Sequence, residues 1–246
     1  MGISSIVLQQ TTTFAMRIAI IFHCFYIDLI DEFFVYFKKI KKPYTLFVTL
    51  PSDVYTSEEI EHVTQKILHF KSDTVLLSCK NYGADIFPCF ATMDYIRRND
   101  LHFDKYVKVH TKKSLRKEDK THGAVWRRNL CAAIFDNFQS NLKLPGLVSS
   151  KIHSHSFTKS KSLFRKGYIK GVFDFYGYDS EKIRPDQTTS CGTMFMVDGD
   201  VWEDFFLRNA KKPINLCYFA NRDFCITFER LWHILPLFYN KPINFV

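Results

Sequence analysis

Several common catalytic signatures are missing from this 246-residue chain. It has no Walker A loop, no Gly-x-Gly-x-x-Gly turn, no His-Glu-x-x-His pair and no Gly-x-Ser-x-Gly elbow. P-loop nucleotide hydrolases, dinucleotide-binding dehydrogenases, zincin proteases and α/β-hydrolases are therefore set aside. No Cys-x-x-Cys pair occurs among the seven cysteines, 24, 79, 89, 131, 191, 217 and 225. An odd count in mostly apolar surroundings suits free thiols in a reducing compartment and argues against structural zinc. Apolar runs of the ~18 residues a membrane helix needs are also missing. The opening "MGISSIVLQQTTTF" lacks the basic flank and long apolar stretch of a signal peptide, and Ile6 stands where myristoylation wants Ser or Thr. The expectation is a cytoplasmic protein, with peripheral contact at the inner membrane face left open. Finally, residues 137–173 contain no Asp or Glu, only Lys and Arg among the charged types.

What is present is a large apolar content, 46% hydrophobic with 25 Phe, and a net charge of +9. The first fills a core; the second points to an acidic partner such as nucleic acid, an anionic membrane or a phosphorylated small molecule. No nucleic-acid recognition module is visible, so nucleic acid is not the expected partner. The apolar runs "RIAIIFH" (17–23), "YTLFVTLP" (44–51), "DTVLLSC" (73–79) and 105–110 have strand length. Between them lie helical periodicities: Leu29 to Phe37, a segment capped by Thr56 and Glu59, and residues 86–98. This alternation predicts an α/β fold with a largely parallel sheet covered on both faces. Further on, 122–138 reads as a helix, 146–150 as a strand, 149–170 as a basic loop, 191–197 as a strand, and "DVWEDFFLR" and "RDFCITFERLWHIL" as helices. A single domain is expected, 17–115 forming one half and 116–246 the other.

Ligands of open parallel sheets bind beyond the C-terminal strand ends. Here those ends are His23, Thr49 with Pro51, Cys79 leading to "NYGAD", and His110 leading to "TKKS". In "NYGAD", Gly83 permits a tight turn and Asp85 offers a carboxylate to ribose or a base; equally, Asp85 caps the next helix. "HTKKS" is either a solvated basic exit or a diphosphate site. A lysine ~4 Å from a phosphate oxygen gains about 4 kcal/mol at an effective dielectric of ~20, before desolvation. His153 and His155 are spaced i, i+2 but have no carboxylate or thiolate nearby in sequence, so a metal site there is not expected.

The order of the pieces "IAIIFHCFYIDLIDEF", "LFVTLP", "NYGADIFPCF", "YVKVHTKKS", "WRRNL", "CGTMFMV" and "FERLW" resembles the rhamnan synthesis protein F family of bacterial polysaccharide glycosyltransferase-like proteins. The resemblance implies a GT-A-like arrangement, a Rossmann-like nucleotide-sugar half merged with an acceptor half. Asn81, Gly83, Asp85 and Pro88 match the family's Asn-x-Gly-Arg-Asp stretch and following proline, with Ala84 where the arginine belongs. His110, Thr111, Lys112 and Lys113 match its His-Thr-Lys-Lys. Most GT-A enzymes carry an Asp-x-Asp metal motif at a comparable strand end; none is found at this one, which motivates a metal-independent mechanism with a divalent metal left open.

The activity this resemblance implies is sugar transfer from a nucleoside diphosphate donor, of dTDP or UDP type, to a glycan or lipid-linked glycan acceptor. The product class is a surface glycan: O-antigen of lipopolysaccharide, capsule or rhamnan. His23, Thr49 and Asn81 to Asp85 are expected at the nucleoside. His110, Thr111, Lys112 and Lys113, with Arg127, are expected at the diphosphate, replacing a metal. Gly192 is expected where a sugar nears the backbone, with Glu229 as first candidate base and Asp223 as second. Two alternatives stand beside this reading. One is a divalent-metal enzyme using Asp85 and Asp223. The other is a non-catalytic module binding a polyanionic glycan or nucleic acid.

Overall fold

The computed structural model describes residues 15–113, 120–156, 167–184, 186–190, 192–209 and 221–246. Strands β1 (Ile18–His23), β2 (Thr45–Pro51), β3 (Val75–Cys79) and β4 (Lys105–His110) pair in parallel, in the order β3-β2-β1-β4. Every residue of β1 and β4 is buried, which is why β1 is apolar without alternation and why the two lysines of β4 need buried partners. Helices α1 (Ile30–Phe37), α2 (Ser57–Phe70) and α3 (Ile86–Arg98) are the crossovers. The predicted capping box opens α2: Thr56 Oγ1 accepts from the Glu59 amide at 3.2 Å, and the Glu59 carboxylate accepts from the Thr56 amide at 2.9 Å.

The second half adds α4 (Lys120–Phe135), α5 (Phe138–Asn141), β5 (Leu147–Ser149), β6 (Ser154–Ser156), α6 (Tyr168–Phe175), β7 (Thr188–Ser190), β8 (Phe195–Asp198), α7 (Gly199–Asn209), α8 (Arg222–Ile234) and β9 (Ile243–Phe245). The sheet continues β4-β8-β5-β9, so both halves share one seven-stranded sheet. Only β8 runs against its neighbours. The chain reaches β8 from the β6–β7 ribbon at the C-terminal edge, and not from a helix returning to the other edge. The fold is α/β, mostly parallel and Rossmann-like.

Helices cover both faces. Against one pack α1, α2 and α4, burying Phe33, Phe37, Ile67, Leu130 and Ile134 with Phe22 and Val107. Against the other pack α3, α6, α7 and α8, where Phe90, Phe205, Phe228, Trp202 and Trp232 surround Tyr106 and Phe195. These two layers fix the C-terminal sheet edge as the open end.

The expected helix 122–138 is divided: α4 stops at Phe135 and α5 begins at Phe138, with exposed Asp136 and Asn137 between. The expected basic loop contains β6, paired antiparallel with β7. Both strands are short and polar, so no apolar alternation betrays them. The rest of that loop, 157–166, lies outside the described residues, as do Cys191 and Cys217. The other five cysteines are free thiols. No helix among the described residues is long and apolar enough to cross a membrane.

Candidate functional site

Strand register puts the candidate residues on one edge. His23 aligns with Thr49 in β2 and His110 in β4, and Pro51 aligns with Cys79 in β3. Over this edge lies a cleft of about 250 Å³ lined by His23, Asn81, Asp85, His110, Thr111, Lys112 and Lys113, together with Phe25, Tyr26 and Ala84. Thr49 lies beneath it, its Oγ1 2.9 Å from His23 Nδ1. Gly83 makes the turn into α3 at φ +61°, followed by Ala84 at φ +52°. At the other end of this turn, the Asn81 amide donates to Asp53 at 2.9 Å.

The segment before α1 grips the His-Thr-Lys-Lys turn. The Thr111 amide donates to the His23 carbonyl at 3.0 Å, and the Tyr26 amide donates to Thr111 Oγ1 at 2.7 Å. Lys113 reaches Asp28 at 2.5 Å and lies 5.1 Å from the centre of the Tyr26 ring. Lys112 lies 4.6 Å over the Trp126 ring of α4, a cation–π contact that holds the ammonium without neutralising it. Its carbonyl accepts from Arg127 Nη1. Arg127 is otherwise committed to Glu32, with Nε and Nη2 donating to the carboxylate at 3.0 and 2.5 Å. The structure thus gives Arg127 a different task from the one expected: it anchors the lysine turn and does not line the cleft.

An ion pair joins the cleft wall, where Asp85 lies, to a buried lysine beneath it. Asp85 Oδ2 accepts from Lys108 Nζ at 2.5 Å and from Thr193 Oγ1, and stands 3.5 Å from His110 Nδ1. Lys108 also donates to the Thr193 carbonyl at 3.0 Å and lies 5.4 Å from the Trp232 ring centre. Burial alone would push the Asp85 carboxyl up; the neighbouring His110 and Lys108, with the hydrogen bonds from Lys108 and Thr193, outweigh it and hold the group well below the usual range. Asp85 occupies the N-cap position of α3 yet makes no side-chain cap bond, so the capping reading fails. Its Oδ2 serves Lys108 and Thr193 instead.

His110 is buried, and burial lowers its pKa to about 3. It is neutral at physiological pH and offers a hydrogen bond, not a cation. Burial also lowers His23 to about 4 and His233 to about 3. In the unfolded chain all three take up protons near pH ~6.5. Their contribution to stability is complete above that pH and is lost as pH falls through about 4 for His23 and about 3 for His110 and His233. Thermal melts from about pH 8 to about pH 4 are expected to show Tm falling below ~6.5, with a shallower fall in His110→Gln.

The third group is Gly192 with Glu229. The Gly192 amide donates to Glu229 Oε1 at 2.9 Å, and Arg230 Nη1 lies 3.2 Å from the same oxygen. Burial raises the Glu229 pKa, against the lowering effects of Arg230 and the Gly192 amide, while the charges of Asp85 and Lys112 also reach it. Glu229 is therefore electrostatically coupled to the cleft. Gly192 adopts φ +98°, and a Cβ there would stand 2.8 Å from Leu130 Cδ1 and 3.5 Å from Trp126 Nε1. That space is filled by α4 and not left for a sugar, contrary to the expected role. Gly192→Ala is expected to cost about 1–3 kcal/mol of stability in a urea melt. Asp223 sits in the first turn of α8, its amide donating to the Asn221 cap at 2.8 Å. It lies six residues before Glu229, about 9 Å along the helix.

Sequence reasoning passed over Lys108, Thr193, Trp126 and Glu32. Lys108 carried a signal, because a lysine inside an apolar strand run needs a buried partner. It also passed over Asp198-Gly199-Asp200, an Asp-x-Asp. The reversal of β8 puts this motif at the opposite sheet edge, beside the start of β4. There Lys105 bonds Asp198, and Lys241 bonds Asp198 at 2.8 Å and Asp200 at 2.6 Å.

No curated protein matches the chain. A family model described as rhamnan synthesis protein F matches residues 3–212, a span that takes in β1 through α7 with the His-Thr-Lys-Lys turn and Gly192, and stops before α8. The chain belongs to the rhamnan synthesis protein F family, and its involvement is in polysaccharide synthesis.

Proposed function

We propose that the protein is a glycosyltransferase that moves a sugar from a nucleoside diphosphate donor to a hydroxyl of a growing bacterial surface glycan. The observation that carries this reading is the pair Lys112 and Lys113 at the end of β4, on the lip of a cleft at the C-terminal sheet edge. Small-molecule sites usually hold ~300–1,000 Å³. The cleft, about 250 Å³, falls just short of that range, so in this reading it takes the diphosphate and part of the nucleoside, with the sugar directed toward Trp126 and Glu229.

In this mechanism the Glu229 carboxylate removes the proton of the acceptor hydroxyl. That oxygen bonds to the anomeric carbon as the bond from this carbon to the phosphate oxygen breaks. The diphosphate leaves with the electron pair, and Lys112 and Lys113 balance its charge, the task a divalent metal performs in other transferases. His110 donates a hydrogen bond to a phosphate oxygen. Arg127 and Glu32 keep the lysine turn in place. His23, Thr49 and Asn81 border the nucleoside.

Lys112→Ala is the direct test. Donor Kd is expected to rise about tenfold or more, equivalent to about 1.4 kcal/mol, with Tm little changed because this lysine is only partly buried. Calorimetric titration of the nucleoside diphosphate in EDTA reads this; an unchanged Kd removes Lys112 from the diphosphate site.

A further inference from the structure

At the N-terminal edge of the sheet, opposite the cleft, a groove of about 480 Å³ runs between the end of α1 and the α4–α5 junction. Its lining includes Lys38, Lys39 and Lys41 on one side and Asp136 and Gln139 on the other. Asp136 is the one carboxylate among the described lining residues, and Lys39 pairs with it at 2.6 Å. Lys38 and Lys41 remain as exposed positive charge. Gln139 lines the groove, and its Nε2 is turned away from solvent with no hydrogen-bond partner among the described residues, an unsatisfied donor beside the groove. Beneath it Phe135 and Phe138 stack in the core, ring centres 5.9 Å apart with nearly parallel planes, and give it a rigid base. Lysines after a helix complement its C-terminal dipole, and that accounts for their place after α1. It does not account for a groove of small-molecule size with an amide donor and cations on facing walls.

We infer that this groove is a second ligand site, separate from the cleft, that takes a phosphate-bearing group. Lys38 and Lys41 supply the charge, Lys39 exchanges Asp136 for the ligand, and the Gln139 amide, unsatisfied as it stands, turns outward to donate to a phosphate oxygen. The phosphate belongs either to a soluble ligand or to an anionic lipid headgroup.

The test titrates the full, isotope-labelled chain with inorganic diphosphate and follows backbone amides. Shifts are expected at Lys38–Lys41 and Asp136–Ser140 as well as at His110–Lys113. In Lys38→Glu/Lys41→Glu the first set is expected to weaken about tenfold or more in affinity, with the cleft shifts retained. Both positions are exposed, so the variant is expected to fold, and the retained cleft shifts verify it. Shifts confined to the cleft, or groove shifts that survive the double variant, overturn the inference. Vesicles of phosphatidylglycerol with phosphatidylcholine, against phosphatidylcholine alone, separate the sources. Retention by the anionic vesicles that the double variant loses supports a lipid headgroup; groove shifts without retention support a soluble phosphate. The site is independent of the cleft chemistry, since loss of Lys112 affinity leaves the groove result unaffected.

Discussion

Glu229→Gln is expected to lower kcat about 100- to 10,000-fold, the range for removing a general base, while donor Kd stays within about twofold. Three features support this. Gln is nearly isosteric and retains an oxygen to accept from the Gly192 amide at 2.9 Å, so the local fold survives. Burial raises the Glu229 pKa, which makes the carboxylate a stronger base than a solvated one. It senses both Asp85 and Lys112, so it belongs to the same electrostatic unit as the lysine turn. The acid limb of the wild-type rate profile is therefore expected above the ordinary carboxylate range, and Glu229→Gln loses that limb. Asp223→Asn, altered in the first turn of α8, is expected to retain most activity. Single-turnover rates across pH check this; full activity in Glu229→Gln removes the residue as base.

Lys108→Met is expected to cost about 3–5 kcal/mol of stability, the usual consequence of stranding a buried charge. Lys108 is 1% exposed and its ammonium has one acidic partner among the described residues, Asp85, at 2.5 Å. Without it, Asp85 keeps Thr193 but loses its cation, and a buried carboxylate then has to protonate or admit water. With total stabilities of about 5–15 kcal/mol, this loss is a large share. Asp85→Asn/Lys108→Met is expected to recover most of it, because both charges then leave together. Urea melts of the four proteins of the cycle measure the coupling. A double-variant loss equal to the sum of the two single losses would mean that the pair is not coupled. The pair also serves the cleft: it fixes Thr193 beside Gly192 and sets the field beneath His110.

The fold was legible where both faces of a strand are covered, since β1 and β2 are mostly apolar runs without alternation that a buried sheet explains, and Tyr106, Val107 and Val109 mark β4. The Thr56–Glu59 capping box was legible because its two bonds are local. The ribbon β6–β7 was not, because three-residue polar strands carry no period. Nor was the reversal of β8, which depends on where the chain arrives. The same reversal separates Asp198-Gly199-Asp200 from the cleft, and no spacing rule reveals that. For the site, strand ends located His23, Thr49 and His110 correctly on one edge. Their partners then changed their chemistry: buried His110 is neutral, Asp85 is engaged by Lys108 and Thr193 in the cleft wall, and Arg127 faces Glu32. Those outcomes depend on partners 15 to 108 residues away along the chain, beyond the reach of any local pattern.

The central claim is that the lysine turn after β4 holds a donor diphosphate. A thermal-shift panel of dTDP-, UDP-, GDP- and CMP-linked sugars, run in EDTA and in Mg²⁺, tests it most directly. The expected result is that one donor class raises Tm in EDTA, that Mg²⁺ adds little, and that Lys112→Ala/Lys113→Ala abolishes the shift. Stabilisation only in Mg²⁺ would contradict the role given to the lysines, and no response to any donor would contradict the transferase reading itself.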